Sequence, residues 1–150
     1  MKKSIILTVF LLLACSHAGM SKNENQQAEA PKNSIVGVWK LVEKNGQPVK
    51  GYYHIKIITE TQFLWFRYTS DGIIFQSMGG TYTLEGNSYT EFIKTATPNM
   101  VSYRGTSAVN TVEIKDNRLT QKGTISAVGL EMLDEVWERI DDNNILLPLN

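Results

Sequence analysis

The sequence predicts an all-β protein, a single antiparallel up-and-down β-barrel of about eight to nine strands. Short β-rich runs alternate with turn residues along most of the chain, and patterns typical of helices are nearly absent. A chain of 150 residues leaves room for one domain with one core. An open sheet of this kind has two exposed edges, and closing it into a barrel removes both. A flat sandwich fits the same pattern and is the alternative.

The chain begins with a segment that we interpret as a signal peptide, residues 1–15. Lys2 and Lys3 precede an apolar stretch from Ile5 to Leu13, which is too short to span a bilayer. The next residues complete Leu12-Leu13-Ala14-Cys15, which resembles the lipobox of bacterial lipoproteins. Cys15 is the only cysteine, so no intrachain disulfide can form.

The lipobox resemblance implies that the Cys15 thiol carries a lipid anchor. Acyl chains would then hold the protein at a membrane by burying methylene groups. We expect a location in the bacterial cell envelope, with the outer membrane as the expected membrane. The alternative is an ordinary cleavage near Ser16-His17-Ala18, which would discard Cys15 and yield a secreted or periplasmic soluble protein.

Residues 16–33 are predicted to form a flexible tether, because they are polar and too poor in apolar residues to fold alone. The chain has 15 basic and 15 acidic residues, and removal of Lys2 and Lys3 leaves 13 against 15. Basic residues are spread singly and form no stripe, so we expect no nucleic acid partner.

The domain assigned to residues 34–150 divides into runs with the alternation of β-strands. The connections are short, so neighbouring strands are expected to pair antiparallel. The predicted strands are Val36 to Glu43, Tyr52 to Thr59, Gln62 to Thr69, Ile73 to Ser77, Thr81 to Glu85, Ser88 to Thr95, Ala108 to Lys115, Arg118 to Ser126 and Leu130 to Ile140. The predicted turns are Asn45-Gly46, Ser70-Asp71-Gly72, Gly79-Gly80, Gly86-Asn87 and Asp116-Asn117. The connection formed by residues 96–107 is longer than the others, and we expect a lid-like loop or one short helical turn there.

Two segments resemble lipocalins and the related fatty-acid-binding proteins. Gly37-x-Trp39 opens the first strand, and Arg139 follows Trp137 on the last long strand. The resemblance implies that Arg139 packs over Trp39 and closes one end of a barrel, with Gly37 as part of the same structural motif. The alternative is that Trp39 is an ordinary core aromatic.

The segments Gly79-Gly80-Thr81-Tyr82-Thr83 and Tyr89-Thr90-Glu91 are similar to a family of small bacterial envelope lipoproteins with a lipocalin-like domain of unknown function. This resemblance covers most of the chain from Ile35 to Ile140. It implies a calycin-type barrel and an envelope location, and no known ligand or activity. The chain lacks a second clear lipocalin motif in its middle, which leaves a transport role open.

The second and third predicted strands carry two alternating sets of side chains, and each set faces one side of the sheet. One set is mixed (His54, Lys56, Trp65, Arg67) and the other is apolar (Ile55, Ile57, Leu64, Phe66). If the mixed set faces inward, His54, Trp65 and Arg67 form a wall suited to a ligand with an anionic or carbonyl head. If it faces outward, the apolar set fills a dry core.

Other groups that could complete a ligand site are Tyr82, Tyr89, Glu91 and Glu135. A buried carboxylate needs a partner, so an inward glutamate predicts a nearby cation, with Arg67 and Arg104 as candidates. The alternative is that both glutamates face solvent.

Catalysis has little support, since the domain contains one histidine, no cysteine and no Gly-x-Ser-x-Gly motif. We also expect no metal and no cofactor, because the spacing of ligand-type residues does not fit a metal site. An acid–base pair of Glu91 and His54 is the one enzymatic hypothesis that remains. The sequence therefore favours a protein that binds a small apolar or amphipathic ligand. The alternative is a packed structural module that docks an unknown partner protein.

Overall fold

The structure is a computed structural model that describes residues 34–126 and 130–140, without the side chains of residues 130–132. The predicted signal peptide, the predicted tether and residues 141–150 lie outside the described residues. Within the described residues, no helix is long and apolar enough to cross a membrane.

The described chain consists of nine strands and one 3₁₀ helix. The predicted strand boundaries agree with the observed ones within one residue for most strands. The strands are β1 (Gly37–Lys44), β2 (Gln47–Pro48), β3 (Tyr53–Ile58), β4 (Gln62–Tyr68), β5 (Ile74–Glu85), β6 (Ser88–Ala96), β7 (Ser107–Lys115), β8 (Arg118–Ser126) and β9 (Leu130–Ile140).

The sheet is an antiparallel meander that closes on itself. Each long strand pairs with the next, from β1 with β3 through β8 with β9, and β9 then pairs with β1. Eight strands form the closed barrel, and the short β2 pairs with the last residues of β1 as an extra strand. Closure leaves the long strands without a free edge. The predicted all-β antiparallel barrel is confirmed.

The predicted turn at Gly79-Gly80 is wrong, and the two predicted strands on either side of it are one strand, β5. The pairing of β5 with β6 shifts register between Gly79 and Gly80, which marks a bulge. A Cβ on Gly80 would lie 1.9 Å from the backbone oxygen of Phe92. Glycine is therefore required there for the close approach of two strands and not for a turn.

The long connection between β6 and β7 contains the 3₁₀ helix Pro98–Tyr103, which confirms the short helical turn. Asn99 Nδ2 donates a hydrogen bond to the backbone oxygen of Phe75 over 2.9 Å, which fastens this helix to β5. Met100 and Tyr103 face the barrel from it. We call this end of the barrel, bounded by residues 45–52, 69–73 and 97–106, the mouth.

The opposite end is closed by Trp39, which is fully buried. Its indole Nε1 donates a hydrogen bond to the backbone oxygen of Ile35 over 2.9 Å. The guanidinium carbon of Arg139 lies 4.2 Å from the indole centroid, and its Nη1 donates to the backbone oxygen of Val36 over 2.8 Å. Gly37 has φ +151°, and a Cβ there would collide with this guanidinium. Trp39, Arg139 and Gly37 thus pack together and close this end of the barrel.

Apolar side chains form two clusters on the two sides of the barrel wall. The larger cluster lies inside and includes Trp39, Leu41, Ile58, Tyr89, Leu119 and Trp137. The smaller one comprises residues that alternate with inward-facing neighbours on β1, β3 and β4, namely Val38, Ile55, Phe66 and Tyr68. The apolar set that could have filled a dry core therefore contributes to the outer wall.

Candidate functional site

The mixed set of β3 and β4 faces the barrel interior. His54 and Lys56 are 6% and 3% exposed, and His54 pairs across the ladder with Arg67 while Lys56 pairs with Trp65. Because side chains alternate along a strand, all four lie on the same inner wall. The alternative in which this set faces solvent is wrong.

A buried ion pair forms the centre of the polar interior. Lys56 Nζ donates to Glu91 Oε1 over 2.8 Å and to Gln121 Oε1 over 2.9 Å, and its ammonium lies 4.8 Å from the ring centroid of Trp137. Tyr89 donates its hydroxyl proton to Glu91 Oε1 over 2.9 Å. The charge of the Glu91 carboxylate is thereby compensated and hydrogen-bonded, as a buried charge requires.

Glu135 is a second buried carboxyl group on the adjoining wall. Trp137 Nε1 donates to Glu135 Oε2 over 3.2 Å, and Lys44 Nζ lies 3.8 Å from Glu135 Oε1. Burial raises the pKa of Glu135, while the positive charges of Lys56 and Lys44 act in the opposite direction. The interpretation of Glu91 and Glu135 as solvent-facing residues is therefore wrong, since both are buried.

His54 is held as a neutral imidazole. Its ring packs edge-on against Trp65, with centroids 5.7 Å apart. Burial, together with the positive charges of Arg67 and Lys44, lowers the pKa of His54 to about 3. The imidazole can therefore donate and accept hydrogen bonds at neutral pH without adding charge.

Arg67 is surrounded by aromatic rings near the mouth. Its guanidinium carbon lies 5.6 Å from the ring centroid of Trp65 and 5.9 Å from those of Tyr52 and Phe75. Ring faces attract a cation and limit its freedom. Arg67 is thereby oriented along the inner wall.

These groups line a cavity of about 170 Å³ between the inner wall and the 3₁₀ helix. Its acidic and basic lining residues, with histidine, are Lys44, His54, Lys56, Arg67, Glu91 and Glu135. Its apolar lining includes Trp65, Met78, Met100, Ala108, Ile125 and Leu133. Sites for drug-sized ligands span roughly 300 to 1,000 Å³, so this cavity fits a smaller molecule.

A bulge in β1 brings Lys44 into the cavity. Leu41 pairs with Trp137 and Glu43 pairs with Val136, so β1 has one residue more than β9 at this point. The extra residue reverses the alternation, and Lys44 pairs with Glu135 on the inner face. Without the bulge, Lys44 would face outward.

Five of the six predicted ligand residues lie on this cavity: His54, Trp65, Arg67, Glu91 and Glu135. Tyr82 does not. Its hydroxyl donates to the backbone oxygen of Thr59 over 2.7 Å, in the β3–β4 turn at the closed end. Tyr82 therefore lies outside this cavity.

The partner of Glu91 also differs from the two candidates that the sequence offered. Glu91 pairs with Lys56, whereas Arg67 lies nearer the mouth and Arg104 is exposed. Lys44 and Gln121 were missed as lining residues. Alternation along β8 could have placed Gln121 on the same face as Leu119, whereas nothing in the local sequence marks the bulge that turns Lys44.

The arrangement is suited to binding, because charged donors and acceptors converge on a cavity that also has apolar lining residues. In the described part of the chain, no group of three or more His, Cys, Asp or Glu residues could hold a metal ion.

Three comparisons relate this chain to known proteins. A solved structure of an uncharacterised protein from Bacteroides eggerthii DSM 20697 is similar, with a TM-score of 0.46 and 16% identity over 71% of this chain and 100% of that one. No curated protein matches the sequence. The family model for a domain of unknown function, DUF4488, matches residues 34–146. This match covers most of the chain, which therefore belongs to the DUF4488 family.

Proposed function

We propose that this protein is an exported, lipid-anchored, lipocalin-like protein that binds a small amphipathic ligand inside its barrel. The observation that carries the proposal is the cavity, which combines converging charged groups with an apolar wall. Its polar and charged lining favours an amphipathic ligand over a purely apolar one, since an apolar ligand would displace water from these groups without replacing its hydrogen bonds.

The main alternative is a packed structural module that docks a partner protein. A packed module needs no internal space, and burying His54, Lys56, Glu91 and Glu135 around an empty space would cost it stability. The cavity therefore favours the binding function. The lipocalin kinship is supported by the interlocked Gly37, Trp39 and Arg139, which have the arrangement that the resemblance implies.

Envelope location is supported by the N-terminal sequence. The basic start, the short apolar stretch and the Cys15 motif are the parts of a lipoprotein signal, and residues 16–33 have the composition of a flexible tether. Cys15→Ala should move the protein from the membrane fraction to the soluble fraction. If the variant stays in the membrane fraction, the anchor lies elsewhere.

Ligand binding can be tested with two matched substitutions on β7, one that fills the cavity and one that does not. Ala108 is fully buried on the cavity wall, whereas Val109 on the same strand is 52% exposed. Ala108→Leu should lower the amount of small molecule that co-purifies from the native host, measured by mass spectrometry of the denatured extract. Val109→Leu should leave it unchanged.

The unfolding midpoint shows whether Ala108→Leu remains folded. Should it unfold, Leu133→Phe fills the same cavity from β9 and serves as the second variant. Equal amounts of bound molecule in wild type and folded cavity-filling variants would contradict the proposal, and so would the absence of any bound molecule in the wild type.

A further inference from the structure

We propose that the side-chain amide of Asn110 binds the polar end of the ligand, and that this end is an uncharged group with an N–H beside a C=O, as in a lactam. This inference rests on the proposed function and specifies the chemistry of the ligand's polar end. It also adds a binding residue from β7 to those on β3 and β4.

The first argument is that Asn110 is buried without a hydrogen-bond partner. It faces inward from the middle of β7, as Ala108 and Val112 do on either side of it, and it is 3% exposed. Neither its Nδ2 nor its Oδ1 has a hydrogen-bond partner in the part of the chain that the structure describes. Buried polar side chains are nearly always hydrogen-bonded, because an unpaired donor or acceptor loses its hydration without compensation. The amide therefore indicates a partner from outside the chain.

The second argument is that the adjoining strand leaves room for this amide. Asn110 pairs with Gly123 on β8. A Cβ on Gly123 would lie 2.6 Å from Asn110 Oδ1 and 2.0 Å from the backbone oxygen of Val109. Glycine at this position therefore permits both the close approach of the two strands and the observed position of the amide.

The third argument is that the amide lies among residues that line the cavity. Ala108 is two positions away on the inner face of β7, and Gln121 and Ile125 flank Gly123 on β8. All three of these neighbours line the cavity. Because Ala108 carries only a methyl group, it leaves a path over which a ligand in the cavity can reach the amide of Asn110.

The hydrogen-bonding capacity of asparagine defines the class of ligand. Its amide offers N–H donors at Nδ2 and a carbonyl acceptor at Oδ1, and both atoms of Asn110 need a partner. A carboxylate only accepts and would leave Oδ1 unpaired, whereas an ammonium only donates and would leave Nδ2 unpaired. An N–H beside a C=O satisfies both atoms at once and brings no charge into the barrel.

The body of the ligand is defined by the rest of the cavity. Trp65, Met78 and Leu133 provide apolar lining. The volume of about 170 Å³ limits the ligand to about the size of one ring. A flat ring with a lactam edge fits this space, since its faces can pack against apolar side chains while the edge pairs with Asn110.

The experiment compares two isomeric probes, 4-methyl-2-pyridone and 1-methyl-2-pyridone. The first has an N–H beside its C=O, and the second carries its methyl group on that nitrogen and has only the C=O. Binding to the full chain is followed by NMR through the indole N–H signal of Trp65, assigned with Trp65→Phe. We expect the 4-methyl isomer to bind at least about tenfold more tightly, because the 1-methyl isomer leaves Asn110 Oδ1 unpaired.

Variants test the assigned residue. Asn110→Leu removes the donor and the acceptor at nearly constant size and should abolish the preference for the 4-methyl isomer. Thr111→Leu is the matched control, because Thr111 is the exposed neighbour on β7 and its replacement should leave the preference unchanged. Urea unfolding midpoints show which variants are folded, and Asn110→Ala takes the place of Asn110→Leu if the larger side chain prevents folding.

Two kinds of outcome overturn the proposal. If the two isomers bind equally to the wild type, or if neither shifts the Trp65 signal, the lactam-like ligand class is wrong. If the preference persists in the folded Asn110 variant, the assignment of Asn110 is wrong and its amide is bound to internal water only. Neither outcome contradicts ligand binding itself, which the co-purification experiment tests separately.

Discussion

Replacing Lys56 by Met should severely destabilise the barrel, because it leaves a buried carboxylate without its cation. Lys56 makes hydrogen bonds of 2.8 and 2.9 Å to Glu91 and Gln121, and Glu91 is 2% exposed. Breaking a buried ion pair from one side costs about 3 to 5 kcal/mol. The total stability of a domain of this size is about 5 to 15 kcal/mol. Lys56→Met should therefore remove a large fraction of it.

The assay is urea unfolding of the wild type and of two further variants. Adding Glu91→Gln to Lys56→Met removes the buried carboxylate charge that has lost its cation. The double variant should therefore recover at least half of the free energy of unfolding that Lys56→Met loses. Lys122→Met is the control, since its ion pair with Asp134 is solvent-exposed and should contribute less than about 1 kcal/mol. The reasoning is refuted if Lys56→Met costs no more than Lys122→Met, or if the double variant is less stable than Lys56→Met.

The other predictions concern the closure, the bulge and the buried imidazole. Trp39→Ala should cost about 3 to 5 kcal/mol in thermal unfolding because the indole is fully buried, and an unchanged melting curve would remove Trp39 from the core. Gly80→Ala should also lower the melting temperature, because its Cβ would overlap the Phe92 backbone oxygen, and an unchanged value would contradict the observed strand approach. The pKa of His54 is about 3 in the folded protein and about 6.5 in the unfolded chain. Between pH 6.5 and pH 3, only the unfolded chain binds a proton at this imidazole, so the free energy of unfolding falls as the pH drops. Urea unfolding at pH 7 and pH 5 should show roughly 2 kcal/mol more loss for the wild type than for His54→Gln, and equal losses would contradict the neutral buried imidazole.

The strands and the barrel could be predicted because their determinants are local. Alternation and turn residues such as Asp116-Asn117 define a strand within a few positions, and this hairpin was placed correctly between β7 and β8. The prediction of a turn at Gly79-Gly80 failed because a glycine pair is compatible with both a turn and a bulge. The two-residue β2 is too short to produce a pattern.

The candidate site could be predicted only in part. Alternation groups His54 with Lys56 but does not say which face of the sheet points inward, because that depends on the direction in which the whole sheet closes. The buried Lys56–Glu91 pair joins residues 35 positions apart, and no local pattern encodes it. The inward turn of Lys44 depends on a bulge, which a regular alternation cannot foresee.

The most direct test of the account is a crystal structure of the protein purified from its own host without added ligands. The account predicts electron density for a small molecule in the cavity beside Trp65. A cavity that contains only ordered water, or that has collapsed around Met100 and Leu133, would contradict the claim that this barrel is built to hold a ligand.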